Sequence, residues 1–274
     1  MYQVNYHRAS TVADAVKLQK KGDDAKYVSG GMTLIPAMKS RLAAPSDLVD
    51  LSRVAEMKGI KVSGKTVTIG AGTIHYDVAN DAKLKAVCPA LCYLASLIGD
   101  PAVRHRGTIG GSISNNDPAA DYPSAMLALG ATIVTNKREI AAAKFFTGLF
   151  ETALKDGEIV TAVTFTAPAK AGYAKFPNPA SRYAMVGVFV ISDKDGARAA
   201  VTGAGDDGVF RSKPIETALA KSFAPDALEG VKISADGLMT DMHASADYRA
   251  NLIAVMAKRA VAMANGAKPD TSKK

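Results

Sequence analysis

The chain is poor in the features that most quickly fix a protein's chemistry. It has two cysteines, Cys88 and Cys92, in 274 residues. That is too few for a disulfide framework and too few for an iron–sulfur cluster, which takes about four thiolates. No stretch approaches the roughly 18 to 20 uninterrupted apolar residues of a membrane helix. The opening residues, Met1 to Arg8, lack an apolar signal-peptide core, so the expected location is cytoplasmic with no membrane span. Of four histidines, His7, His75 and His243 stand apart with no metal-ligand spacing. His105 reads as an exposed or backbone-positioning residue. The P-loop, HExxH and GxSxG motifs are absent. Gly70-Ala71-Gly72 lacks the third glycine of a dinucleotide-binding fingerprint, because His75 occupies that position.

What is present describes a soluble globular chain. Hydrophobic residues make up 48% and charged residues 22%, which argues against wholesale disorder. At about 150 residues per domain, the length suggests two domains. There are 34 basic and 26 acidic side chains, a net charge of +8. The excess is dispersed, and its densest run is Lys17, Lys20 and Lys21. With no basic stretch interleaved with aromatics and no nucleic-acid-binding spacing, nucleic acid is not the expected partner. Dispersed positive charge suits an acidic protein partner or an anionic cofactor better.

Patterning gives mixed helices and strands. Thr11 to Gln19 reads as a helix capped by Thr11, followed by a strand at Lys26-Tyr27-Val28. Leu34 to Leu42 reads as a helix with Pro36 near its start, and Leu48 to Leu51 as a buried strand. Ile60 to Ile69 alternate around Ser63-Gly64-Lys65 as a hairpin. Leu84 to Ile98 form an apolar helix interrupted near Pro89. Pro123 to Leu129 follow as a helix and Thr132-Ile133-Val134 as a strand. The Pro- and Gly-rich stretch from Pro168 to Pro179 reads as a connection between domains. Beyond it, Ala184 to Ile191 and Ala197 to Val201 flank an Asp195-Gly196 turn. The last 40 or so residues read as helical, most clearly Tyr248 to Met263. The tail from Lys268 to Lys274 is expected to fray.

Two segments carry the functional signal: Ser29-Gly30-Gly31-Met32-Thr33 and Thr108-Ile109-Gly110-Gly111-Ser112. Paired glycines let a backbone come within hydrogen-bond range of a ligand. Successive N–H groups in such a turn form a concavity for anions, and a following helix adds partial positive charge. Hydroxyls on Ser29, Thr33, Thr108 and Ser112 supply further donors. Two such loops suit the two sides of a pyrophosphate. From composition alone, two tight turns fit equally well.

The longer motifs resemble a known family. SGGMTLIPAMKSRL, from Ser29 to Leu42, is similar to the first FAD loop of the flavin subunits of molybdenum hydroxylases, AGGxSLLPxMKxRL. RHRGTIGGSISNNDPAADYPSAMLAL, from Arg104 to Leu129, is similar to their second loop, RNRGTIGGxxxxxDPAxDxPxxLLAL. The opening YHRASTVADAV, the stretch VTIGAGT, Asp156 to Val160, and DYRANLIAVMAKRAV extend the resemblance along the chain. The family is the carbon monoxide dehydrogenase or xanthine dehydrogenase type of molybdenum hydroxylase.

The resemblance implies an α+β fold. A two-lobed FAD-binding domain of PCMH type is expected over residues 1–172. A smaller α+β C-terminal domain with an antiparallel sheet and helices is expected over 173–274. It implies FAD bound by Ser29, Gly30, Gly31, Met32 and Thr33 and by Thr108, Ile109, Gly110, Gly111 and Ser112. Asp121 matches a carboxylate near the adenosine half, and reads equally as the N-cap of the helix that follows. Ile159 matches an apolar residue near the isoalloxazine or adenine, and reads nearly as well as a buried strand residue. Lys175 and Tyr183 match the C-terminal segment that meets the flavin ring, Tyr183 as a cover over it. Ser29 and Met32 depart from the usual alanine and polar residue, which is tolerable where backbone amides bind. The two cysteines rule out the extra iron–sulfur cluster of some relatives and read as small core residues.

The implied activity is electron transfer, with no acid–base residue in this chain. Electrons would come from two [2Fe–2S] clusters in a small partner subunit and go from FAD to an external acceptor. A molybdopterin-type cofactor would sit in a large partner subunit, and the whole would form a dimer of heterotrimers. The alternatives are a stand-alone flavin oxidoreductase and a flavin-free assembly protein of the same fold.

Overall fold

The computed structural model describes residues 1–268. The expected fraying of the tail falls, apart from Lys268, outside that range. Three larger sheets organise the described residues, beside a two-stranded sheet of Phe146–Gly148 and Glu151–Thr152.

The first sheet is parallel and three-stranded, in the order Asn5–Arg8, Asp47–Asp50, Ala25–Val28. Its central strand is buried throughout, as expected for a parallel strand covered on both faces. The two carboxylates on that strand are answered locally. His7 Nε2 lies 2.6 Å from Asp47, while the Tyr6 hydroxyl and the Ser52 amide donate to Asp50. The helix Val12–Gln19 begins where Thr11 Oγ1 accepts from the Asp14 amide at 3.1 Å, and the helix Leu34–Lys39 follows the first double-glycine loop.

The second sheet is antiparallel, in the order Ile60–Ser63, Thr66–Gly70, Val160–Thr166, Thr132–Thr135, Glu139–Ala141. The apolar segment before the second loop breaks at Cys88-Pro89 into Ala82–Val87 and Pro89–Ser96. Proline lacks the amide that would continue the first helix, yet suits the first position of the next. The short helices Ile109–Asn115 and Tyr122–Leu129 complete this lobe.

The third sheet is antiparallel, in the order Lys170–Pro177, Ala184–Asp193, Gly196–Thr202, Phe210–Arg211. The helices Lys213–Lys221 and Ala246–Ala264 accompany it. Ala184–Asp193 faces two cores. Val186, Val188 and Val190 join a cluster with Leu252, Ile253 and Met256 of the last helix. Phe189 and Ile191, on the opposite face, join the large core of the first two sheets. Alternation along a strand sends successive side chains to opposite faces, and each such burial contributes about 1.5–3 kcal/mol.

The stretch from Pro168 to Pro179 is not the connection its composition suggested. Most of it is the strand Lys170–Pro177, which runs across residue 172. Pro168 and Pro179 lie beyond its ends, and Pro177 closes it at a register shift. Gly172 is interior because a Cβ there would collide with the Ala260 carbonyl of the last helix. The C-terminal stretch also departs from expectation, since among its described residues only Ala246–Ala264 is α-helical. Among the described residues, no helix is long and apolar enough to cross a membrane.

Candidate functional site

The two double-glycine loops meet in space. The first leaves the C-terminal end of Ala25–Val28 and enters the helix Leu34–Lys39. Gly31 takes φ +72°, a left-handed turn that disfavours any side chain. Gly30 lies flat against the residues before the second loop, and a Cβ there would strike the Arg106 carbonyl. Thr108 Oγ1 donates to Ser29 Oγ at 3.1 Å, which locks one loop to the other.

The loops divide their labour in a way the sequence did not show. In the second loop the Ile109 amide donates to Thr73 O at 3.1 Å and the Gly110 amide to Ala71 O at 2.8 Å. The Gly111 amide donates to Thr108 Oγ1 at 3.1 Å, so Thr108 caps the helix. Those three amides hold the fold and are not available to a ligand. In the first loop, the amides of Gly30, Gly31, Met32 and Thr33 have no hydrogen-bond partner among the described residues. Four successive free amides at a turn leading into a helix are an arrangement suited to an anion.

Both loops line one cleft of about 740 Å³, together with Asp121, Ile159 and Tyr183. That size lies within the roughly 300–1,000 Å³ of small-molecule and cofactor sites. Apolar side chains such as Val28, Leu51, Ile98 and Val103 form much of the wall, and Ser112, Ser114 and Asn115 add polar groups. Ile109 and Lys175, also expected at the site, do not line it. Ile109 belongs to the large core.

Lys175 lies behind the wall. Its Nζ is 3.0 Å from each oxygen of Asp121 and donates to Leu97 O at 3.1 Å. The Tyr173 hydroxyl also donates to Asp121. Asp121 therefore does not cap the helix Tyr122–Leu129. It joins the third sheet to the second lobe instead, with both ionic side chains buried to within 4%. Burial, reinforced by the Asp121 charge, holds the Tyr173 hydroxyl well above its ordinary pKa and keeps it protonated.

Ile159 contributes only its side chain to the cleft. Its amide donates to Asn136 Oδ1 at 2.9 Å, and its carbonyl accepts from the Asn136 amide at 3.0 Å. The neighbouring Glu158 carboxylate is buried against Arg138 Nε at 2.9 Å. The hydrogen bond from Arg138, outweighing desolvation, lowers its pKa to about 2.

Tyr183 stands at the rim, 46% exposed. It ends a tight loop in which the Asn178 side chain and carbonyl accept from the Ala180, Ser181 and Arg182 amides. Arg182 is held at φ +62°, a left-handed conformation costing on the order of 1–3 kcal/mol for a non-glycine residue. Partial burial raises the Tyr183 pKa, followed by the charges of Asp117 and Asp121.

Sequence reasoning missed His75, Tyr27, Asp117 and Arg182, which also line the cleft. Tyr27 falls within the predicted strand Lys26-Tyr27-Val28, and Asp117 within the second long motif, where neither position signals a ligand. Nothing local marks His75, which is placed by the isolated bridge between Ile74 and Thr108. His105 is exposed and stacks on Tyr76 with ring centroids 4.3 Å apart. Among the described residues, no cluster of His, Cys, Asp and Glu could hold a metal ion.

Free amides between interlocked loops, set in a mainly apolar cleft, fit a dinucleotide cofactor, and comparison with known proteins supplies its identity. Residues 2–168 match the family model described as the FAD binding domain in molybdopterin dehydrogenase. The chain belongs to this family, an FAD-binding component of oxidoreductases. It is 33% identical to the carbon monoxide dehydrogenase medium chain of Hydrogenophaga pseudoflava, over 93% of this chain and 95% of that one. It is 31% identical to the glyceraldehyde dehydrogenase medium chain of Sulfolobus acidocaldarius, over 94% and 97%. The solved structure of the Hydrogenophaga pseudoflava carbon monoxide dehydrogenase lacking the Mo-pyranopterin moiety superposes with a TM-score of 0.86 at 34% identity. That match covers 96% of this chain and 97% of the other.

Proposed function

We propose that the cleft between the two loops holds FAD and that the chain is the medium, electron-transferring subunit of a molybdenum hydroxylase. The observation that carries this reading is the row of four unpaired amides from Gly30 to Thr33. A bare concavity of N–H groups suits a pyrophosphate, and Thr108 fixes it by bonding to Ser29. Ser112, Ser114 and Asn115 face the same cleft and supply neutral hydrogen-bonding groups. Ile159 packs against the cofactor through its side chain alone, and Tyr183 shields the cleft mouth. Asp121 in the cleft wall and Lys175 behind it hold the third sheet, and with it the Tyr183 loop, against the second lobe. When bound, FAD supplies the redox chemistry; the protein supplies binding, orientation and potential.

The partner assignment rests on the relatives' description as medium chains. A large subunit would carry the molybdenum cofactor, and a small subunit would carry the [2Fe–2S] clusters that deliver electrons here for an external acceptor. A dimer of heterotrimers is the proposed assembly. The relatives act on carbon monoxide and on glyceraldehyde, so substrate choice belongs to the large subunit.

The test is an absorption spectrum and an FAD titration of the purified chain, followed by co-purification with its two partner subunits. Flavin bands and stoichiometric binding are expected, with iron–sulfur absorbance and molybdenum appearing in the complex. A chain that stays colourless in excess FAD and associates with neither partner would refute the assignment.

A further inference from the structure

His75 is a buried, polar residue with one ring nitrogen that has no hydrogen-bond partner among the described residues. It is 4% exposed and lines the cleft. Its backbone is anchored: the His75 amide donates to Gly107 O at 2.9 Å, beside the second loop. Its imidazole Nδ1 is buried with no hydrogen-bond partner among the described residues. Gly107 leaves room for the ring, since a Cβ there would sit 2.5 Å from His75 Nε2. Tyr122 lies behind, with ring centroids 5.4 Å apart, and its own hydroxyl is also buried and unpartnered. Burial, then the nearby Arg104 charge, pushes the imidazole pKa down to about 4, so the ring is neutral near pH 7.

Buried polar groups are ordinarily paired, and leaving one unpaired destabilises the fold. A neutral imidazole offers one donor and one acceptor. Here the fold makes no use of Nδ1, on a side chain that lines the cleft beside the second loop.

We propose that His75 is a direct hydrogen-bonding contact of the bound FAD, so that ligand binding completes the pairing the fold omits. This rests on the FAD reading of the cleft and adds a residue that neither glycine loop supplies. The polar atom it meets belongs either to the flavin and ribityl half or to the pyrophosphate. Both offer groups that one neutral imidazole can pair.

The two possible roles of His75 predict opposite signs. If it only supports the fold, His75→Phe lowers the melting temperature of the flavin-free chain. If it is a ligand contact, the same substitution removes an unsatisfied buried group. The flavin-free chain then melts no lower than wild type, while FAD affinity falls about tenfold. His75→Gln keeps a donor and an acceptor and is expected to bind FAD within about threefold of wild type. Tyr122→Phe is the control, because Tyr122 is fully buried and does not line the cleft. It should leave FAD affinity unchanged.

The experiment is FAD and ADP titration of the full chain by calorimetry, with melting of each flavin-free variant. Weaker FAD binding with unchanged ADP binding places the contact on the flavin and ribityl half, and weaker binding of both places it on the pyrophosphate. His75→Phe protein that binds FAD as tightly as wild type, or that melts well below it without ligand, overturns the proposal. Failure of the wild-type chain to bind FAD refutes instead the reading on which the proposal rests.

Discussion

Lys175→Met is the perturbation that most directly tests how the third sheet is held to the rest. The Lys175 ammonium and the Asp121 carboxylate are 3% and 4% exposed. Removing the cation leaves the carboxylate buried with Tyr173 as its remaining side-chain donor, and leaves Leu97 O without the Lys175 bond. Breaking a buried pair by deleting one partner costs about 3–5 kcal/mol, mainly because the other charge is left uncompensated. Methionine preserves most of the side-chain volume, so little of that loss comes from a cavity. At about 2–4 °C per kcal/mol for a chain of roughly 150–250 residues, the melting temperature should fall by about 6 °C or more. The double variant Asp121→Asn/Lys175→Met removes both charges and should recover much of the loss, the signature of direct coupling. Differential scanning calorimetry of the wild type, both single variants and the double variant measures it. If Lys175→Met costs less than about 1 kcal/mol, or the two single losses simply add, the ion pair does not hold the interface and this reasoning fails.

Two other expectations come from particular groups. Glu158 has a folded pKa of about 2 against an ordinary value of 4.5. Its contribution is therefore fully present above about pH 5 and is lost as pH falls from there toward 2. Arg138 is 40% exposed, so solvent screening reduces that contribution to on the order of 2 kcal/mol. Glu158→Gln should flatten the stability profile across this window in urea melts at a series of pH values, and a profile as steep as wild type would count against it. Gly30→Ala places a methyl against the Arg106 carbonyl and should separate the loops. Overpacking of this kind costs about 1–3 kcal/mol, and FAD affinity should fall by more than tenfold; binding within twofold of wild type would show that the close approach of the loops is dispensable.

The parts of the fold that the sequence reveals are those governed by local chemistry. Thr11 as a cap, Pro89 as a helix break and the Asp195-Gly196 hairpin signal act through neighbours in the chain; the structure places the first two as expected and sets the hairpin turn one residue earlier, at Lys194-Asp195, with Gly196 opening the second strand. Pro168 to Pro179 misled because composition marks where proline can stand, not whether a strand runs between. The Ala260 carbonyl that requires Gly172 comes from a helix far along the sequence. The same limit applied to the site. Long motifs identified both glycine loops, but only the folded chain shows which amides remain free. Thr73 and Ala71, neither in a glycine-pair motif, take the amides of Ile109 and Gly110. The second loop thereby becomes a wall, and the free amides are left to the first.

That division also accounts for the unusual allocation of polar groups around the cleft. Among the described residues, the amides at Gly30 to Thr33 and His75 Nδ1 lack hydrogen-bond partners, and Arg182 is held in a left-handed conformation. The buried, unpaired Nδ1 and the left-handed Arg182 each cost stability, and all three features lie along one cleft wall or rim. The compensating interactions anchor that wall from behind and at its rim: Lys175 and Tyr173 on Asp121, Arg138 on Glu158, and Asn178 across the Tyr183 loop. A site organised in this way should gain stability when its ligand binds, because the ligand supplies the pairs the fold omits. Ligand binding at one site stabilises by RT ln(1 + [L]/Kd), about 2.7 kcal/mol at a hundredfold excess over Kd. Saturating FAD should therefore raise the melting temperature of the wild-type chain by several degrees, and should raise that of His75→Phe by less at the same FAD concentration.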